Sequence, residues 1–261
     1  NQMGSVTNEA TETTSAIVRG VKIDGGTTGL RQAVGSLSIS AVSNTAYSAT
    51  SLDSDNVVIG ATTATLTASD VLAGSGGVAV SAIDRSSVTA IAVPFMPPLD
   101  LNGEAPDPAV KKHIARVAII NQVQKDTIAS IASSTIVSGG DVTVEALNIT
   151  TVTAFAEVVP QEEQETDIEA LLPINAKKVN AGILAANVVN GGTSASITGG
   201  SVTTTGAGDD VTVKATDDSF LDASIFVNME GRGLSGTKII KMLKGGSASV
   251  ARMEAMNIIG W

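Results

Sequence analysis

The sequence predicts a mainly β protein, a parallel β-helix (β-solenoid) with short helix-containing insertions. Three observations lead there: a recurring motif, an apolar content almost free of aromatics, and prolines confined to one stretch. Ser87-Val88-Thr89-Ala90, Thr151-Val152-Thr153-Ala154 and Phe220-Leu221-Asp222-Ala223 occupy equivalent places, with a fainter copy at Thr13-Thr14-Ser15-Ala16. With the alanine as marker, the steps from 16 to 90, 90 to 154 and 154 to 223 are 74, 64 and 69 residues. Between markers, Asn121-Gln122-Val123 matches Asn187-Val188-Val189 and Asn257-Ile258-Ile259, and Ser40-Ala41-Val42 is a weaker fit. Small and β-branched residues shared at fixed offsets mean one supersecondary unit used several times. The chain is read as a single segment over 1–261, made of about three to four such repeats.

The repeat bodies read as short strands. Asp141-Val142-Thr143-Val144-Glu145-Ala146, Asp210-Val211-Thr212-Val213-Lys214-Ala215 and Ala64-Thr65-Leu66-Thr67-Ala68 alternate apolar with polar residues, the period-two pattern of a half-buried strand. Strands bounded by Gly, Asn, Asp and Ser turns, recurring over a long period, suggest coils stacked in parallel at ~4.8 Å, with like residues in rows. Thr and Val rows suit the outer and inner faces of such a sheet. The interval from Ala68 to Ala90 exceeds its counterparts, so Val71–Ile83 reads as an extra coil. At ~20–24 residues per coil this predicts roughly nine coils and a rod on the order of 40 Å long.

The chain is 43% hydrophobic but only 2% aromatic. Ala, Val and Ile therefore fill the core, which suits a narrow space between sheets better than a large globule, where aromatics dominate.

All seven prolines fall within 94–173, outside the repeat bodies, as expected if the bodies are ladders that need every N–H. Insertions are placed at roughly 94–115, 158–179 and 228–246, and each carries a helix signal. Asp107-Pro108 resembles an N-cap with proline at the first helical position. Thr166-Asp167-Ile168-Glu169 is a capping box stopped by Pro173. Thr237 to Lys244 ends at Gly245-Gly246, with Ile239, Ile240 and Leu243 on one face and Lys238, Lys241 and Lys244 on another. One short helix per repeat is expected along a side of the solenoid.

Sixteen basic and twenty-six acidic residues give a net charge of −10, which disfavours nucleic acid and anionic membrane surfaces as partners. The absence of cysteine excludes disulfides and zinc–thiolate sites. No run approaches the ~20 apolar residues of a membrane helix, and no signal-peptide pattern is visible. The chain opens mid-pattern and stops within a repeat, so it reads as a fragment or subunit of a longer assembly. Neither end has a polar, capping character, and further coils are expected to join there, from the same chain or a neighbouring copy.

Ala185-Ala186-Asn187-Val188-Val189, Ala195-Ser196-Ile197-Thr198-Gly199 and Asp210-Val211-Thr212-Val213-Lys214-Ala215 resemble repeats of large bacterial filamentous adhesins, the filamentous-haemagglutinin and leukotoxin-like adhesins. Autotransporter passengers are a looser likeness. The similarity spans roughly 34–90, 116–157 and 180–227 and leaves out the insertions. It implies a right-handed parallel β-helix, exported to the bacterial cell surface or secreted, forming a stalk or fibre. The family carries no catalytic motif that could be transferred to this chain.

Chemistry-bearing residues are sparse. His113, the sole histidine, stands beside Lys111 and Lys112 without a second His or any Cys, and reads as a solvated helix residue. Asp209, Asp210, Asp217, Asp218 and Asp222 offer carboxylate pairs of the kind glycosidases use, but few aromatic platforms accompany them, and surface turns explain them better. Gly206 to Asp210 could supply oxygen ligands to calcium, yet the glycine-rich calcium-roll pattern occurs at most once, and no cofactor is expected. The acidic run beginning at Glu162 and Glu163 contrasts with Lys238 and Lys241 in the third insertion. Solvated faces are the plain reading, and contact between acidic and basic insertions of neighbouring rods is the sharper one. Ile239, Ile240, Leu243, Lys238, Lys241, Glu162 and Glu163 are thus the candidate assembly contacts.

The function expected is a structural, non-enzymatic segment of a filamentous adhesin that associates with its own copies or further coils, and with a host, cell or matrix surface. The alternatives are a β-helix enzyme that degrades polysaccharide and a passive ligand-binding solenoid.

Overall fold

The computed structural model describes residues 5–26, 31–51, 53–92, 116–158, 182–227 and 252–260, and every regular element among them is a strand. The first repeat runs β1 (Ser5–Arg19), β2 (Lys22–Ile23), β3 (Leu37–Ser43) and β4 (Ala46–Thr50). The second has β5 (Asp53–Thr67), β6 (Asp70–Ala73), β7 (Val78–Asp84) and β8 (Ser87–Ala92). The third follows as β9 (Arg116–Ala132), β10 (Thr135–Ser138), β11 (Val142–Asn148) and β12 (Thr151–Val158). In the fourth the long strand is split into β13 (Gly182–Asn190) and β14 (Thr193–Thr198), before β15 (Ser201–Thr204), β16 (Val211–Asp217) and β17 (Phe220–Val227). Finally comes β18 (Arg252–Gly260).

Each repeat gives one position to each of four sheets, and all pairings are parallel. The orders are β1-β5-β9-β13-β18 with β14 also on β9, β2-β6-β10-β15, β3-β7-β11-β16 and β4-β8-β12-β17. Repeat order is therefore strand order in every sheet.

Period-two alternation decides which side chains face inward. Along β9, Val117, Ile119, Asn121, Val123, Lys125, Thr127, Ala129 and Ile131 are buried, whereas Gln122, Gln124 and Asp126 are exposed. Parallel register stacks the inward residues in rows. Asn8, Asn56, Asn121, Asn187 and Asn257 form one, and Val18, Leu66, Ile131 and Ile197 another. The predicted partners meet: Ala90, Ala154 and Ala223 are in register, as are Asn121, Asn187 and Asn257.

The first repeat is phased differently from the sequence reading. The counterpart of Ala90 is Ala49, while Ala16 pairs with Ala64 in the first sheet. That sheet has its own inward alanine row, which mimics the marker. Ser40-Ala41-Val42 lies in β3 against Ser81-Ala82-Ile83, and the asparagines of the first two repeats are Asn8 and Asn56. Val71–Ile83 is not an extra coil, since β6 and β7 pair with β10 and β11. The partner of Val142 to Ala146 is Val78 to Ala82, not Ala64 to Ala68. A repeat supplies one tier only, because its first strand alone takes 15 to 17 residues in the first three repeats. Among the described residues, four tiers and a fifth strand in the first sheet stand where nine coils are expected, and their stack is about 20 Å deep rather than 40 Å.

One corner recurs with a left-handed residue. Gly20, Ala68, Ser133 and Gly199, each following the long strand at the same register position, have φ of 65°, 49°, 50° and 61°. The expected helices fall within the insertions, which lie outside the described residues except for Val158 at the end of β12.

The interior is three apolar blocks. Ala90, Ala92, Ile119, Ala154 and Ala156 make one, and Val58, Val88, Val123 and Val152 a second. The largest includes Leu66, Val80, Ile131, Ile136 and Val144. Along the first sheet the asparagine row lies between the first two blocks, and the Lys125 and Thr127 rows lie between the second and third. These polar seams are where the chemistry is.

Candidate functional site

The first seam is a ladder of side-chain amides. Asn8 Nδ2 donates to Asn56 Oδ1 at 2.9 Å, Asn56 to Asn121 at 2.8 Å, Asn121 to Asn187 at 2.8 Å and Asn187 to Asn257 at 2.9 Å. The second N–H of each amide crosses the core to a backbone carbonyl of the fourth sheet. Asn8 reaches Ser48 at 2.8 Å, Asn56 Thr89 at 2.9 Å, Asn121 Thr153 at 2.8 Å and Asn187 Asp222 at 2.7 Å. An amide has two donors and a two-lone-pair acceptor, so an in-register row of them satisfies itself. Asn56, Asn121 and Asn187 are fully buried, where unpaired amide groups would be costly.

The second seam is ionic. Lys125 lies on the inward side of β9, with its side chain only 3% exposed. Its Nζ lies 2.8 Å from Asp84 Oδ2 and 3.2 Å from Glu12 Oε2, and donates to Ser86 Oγ at 2.5 Å. The Asp84 side chain is 0% exposed and that of Glu12 15%. Register explains the reach: Glu12, Gly60 and Lys125 form one row, and Gly60 leaves the interior between the two charged residues free of a side chain. A Cβ there would run into the Glu12 carbonyl.

Glu12 is held by hydroxyls as well. Ser43 Oγ donates to it at 2.5 Å, Thr45 Oγ1 at 2.9 Å and the Tyr47 hydroxyl at 3.2 Å. Burial pushes the Glu12 carboxyl up, but Ser43, Thr45 and the Lys125 ammonium together outweigh it and hold the group below its ordinary value. Burial and the neighbouring Glu12 charge push the Tyr47 phenol up. Three repeats meet here: Glu12 from the first, Asp84 and Ser86 from the second, Lys125 from the third. A buried ion pair gains from Coulomb attraction what desolvation costs only when its remaining hydrogen bonds are satisfied, and these hydroxyls satisfy most of them.

Asp84 sits on a turn that recurs at the corner between the third and fourth sheets. Asp84 Oδ1 accepts from the Ser86 N–H at 3.0 Å and from Ser86 Oγ at 2.5 Å. Asn148 does the same for Thr150 at 3.2 and 2.6 Å, and Asp217 for Ser219 at 3.1 and 2.5 Å. This is the local side chain to backbone bonding that favours Asp, Asn, Ser and Thr in turns. The pattern Asp/Asn-x-Ser/Thr at 84–86, 148–150 and 217–219 is visible in the sequence.

Ile239, Ile240, Leu243, Lys238, Lys241, Glu162, Glu163 and His113 all lie outside the described residues. Among the aspartates considered for carboxylate chemistry, Asp217 supports its corner turn and Asp222 pairs with Thr153 in the fourth sheet. Across the segment considered for calcium, Thr204 Oγ1 donates to the Asp209 carbonyl at 3.4 Å. Among the described residues no group of three or more His, Cys, Asp or Glu is placed to hold a metal ion. Compared with known proteins, the chain matches no family model, no curated protein and no solved structure.

Proposed function

We propose that this chain is a segment of a right-handed parallel β-solenoid with a structural role: part of a stalk, or of a self-associating fibre, in a filamentous adhesin at the bacterial cell surface or secreted from it. The observation that carries the reading is that repeat order equals strand order in all four sheets. A chain wound as a solenoid produces that order without crossovers, and stability then comes from nearest-neighbour tiers. The asparagine ladder supports it too, since its directional hydrogen bonds fix register between successive tiers and can be extended by any further asparagine in the row. Partners on this reading are more coils of the same long chain, other copies of it, and the host, cell or matrix surface it meets. Glu162 and Glu163 on one rod and Lys238 and Lys241 on the next set lateral register, with Ile239, Ile240 and Leu243 as an apolar contact.

Negative-stain microscopy and oriented diffraction of the purified chain test the reading. Rods or fibres with a ~4.8 Å repeat along their axis, whose bundles loosen as salt screens the charge contacts, are expected. Compact particles with no axial repeat at any concentration or ionic strength would count against it.

A further inference from the structure

We propose that Lys125 and Asp84 become joined by an intramolecular isopeptide bond between Nζ and Cγ, with Glu12 carrying the proton. Lys22 and Lys214 have side chains 61% exposed, whereas Lys125 is 3% exposed and points inward onto a carboxylate that is 0% exposed. Amine and carboxylate are held 2.8 Å apart by strands from separate repeats. Such enforced proximity substitutes for a high concentration of reactant.

The two oxygens of Asp84 have different surroundings. Oδ1 accepts from the Ser86 N–H at 3.0 Å and the Ser86 hydroxyl at 2.5 Å, two donors placed where an oxyanion would gather charge. Oδ2 faces the Lys125 ammonium and has no hydrogen-bond partner otherwise, so it is the oxygen free to leave. Glu12 Oε2, 3.2 Å from Nζ, accepts a proton from the ammonium and passes it to Oδ2. The uncharged amine attacks Cγ, the oxyanion forms on Oδ1, and Oδ2 departs as water with that proton and a second one from nitrogen. Ammonium plus carboxylate gives amide plus one water, and Glu12 is returned as carboxylate. The product removes two buried charges that would otherwise have to be compensated. Glu12 keeps its three hydroxyl donors and its partial exposure, so it needs no ammonium afterwards. The bond would clamp the second repeat to the third across the first insertion.

Intact-mass measurement of the purified chain after incubation at neutral pH is the test. A mass one water below that of the sequence is expected, with trypsin leaving Lys125 uncut and joined to the peptide that ends at Arg85. K125R is expected to show the full mass. So is E12Q, with its β-sheet circular dichroism retained. Wild-type protein at full mass, with Lys125 cleaved and both peptides recovered separately, overturns the proposal. An E12Q protein that still loses the water overturns the part given to Glu12.

Discussion

Replacing Asn121 by alanine removes the centre of the amide ladder, and the structure sets the size of the effect. Asn121 donates to Thr153 O and Asn187 Oδ1 and accepts from Asn56 Nδ2, each at 2.8 Å. The residue is fully buried, so the substitution strands two acceptors and one donor out of reach of water. Each buried orphan costs about 1–3 kcal/mol, which places Asn121→Ala at about 3 kcal/mol or more. Asn8→Ala serves as the control. Asn8 makes the same kinds of bond, but it is only partly buried and lies at the end of the row, where water reaches the groups left behind. Its loss should cost about 1 kcal/mol or less. Urea unfolding followed by far-ultraviolet circular dichroism measures both, with hydrogen exchange locating the damage in the tiers next to residue 121. Equal costs for the two substitutions would refute the reasoning, because the ladder would then be contributing no more inside than at its edge.

Further expectations follow from the same rows and corners. Because Glu12 titrates below its ordinary value of 4.5 in the folded protein, its contribution is present above that pH and lost as pH falls through the lowered value. Glu12→Gln should therefore flatten the acid side of the stability profile, measured as urea midpoint against pH. At the left-handed corner, Gly199→Ala should destabilise by about 1 kcal/mol. Ala68→Gly, at φ 49°, should be neutral or slightly stabilising because relief of backbone strain offsets the added chain entropy, as thermal melts would show. Ala154 is fully buried in the alanine-lined block, so Ala154→Leu should cost about 1–3 kcal/mol by overpacking. The outward-facing Thr153→Leu should change the urea midpoint far less.

The last three repeats were legible in the sequence because inward rows repeat their residue types. The alanine marker at 90, 154 and 223 and the asparagine at 121, 187 and 257 are in register as read. The first repeat was not, for a physical reason. Its interval from Ala49 to Ala90 is 41 residues, far shorter than the later ones that carry insertions, so the longer spacing lands on Ala16 in a different sheet. Coils are larger than the ~20–24 residues expected because four strands of unequal length make up each tier. Lys125 does not stand out in the sequence, because a lysine in a strand ordinarily faces solvent. Phase was the available signal, since it is an even number of residues from Asn121, Val123, Thr127 and Ala129. Its partners Asp84 and Glu12 could not be found by spacing, because they reach it only through stacking of tiers.

Register between tiers is the claim on which the ladder, the ionic seam and the solenoid reading all rest, and engineered cysteines test it directly. The chain has no cysteine of its own, so each introduced pair is unambiguous. Thr89 and Thr153 are register partners on adjacent strands, about 4.8 Å apart and within the reach of a disulfide. Thr153 and Ile91 are offset by two residues on the same outer face, about 8 Å apart, beyond what a disulfide can span without backbone movement. Mild oxidation should close the pair made by Thr89→Cys and Thr153→Cys rapidly and leave the pair made by Ile91→Cys and Thr153→Cys reduced. Preferential closure of the offset pair, or of neither, would contradict the parallel in-register stack.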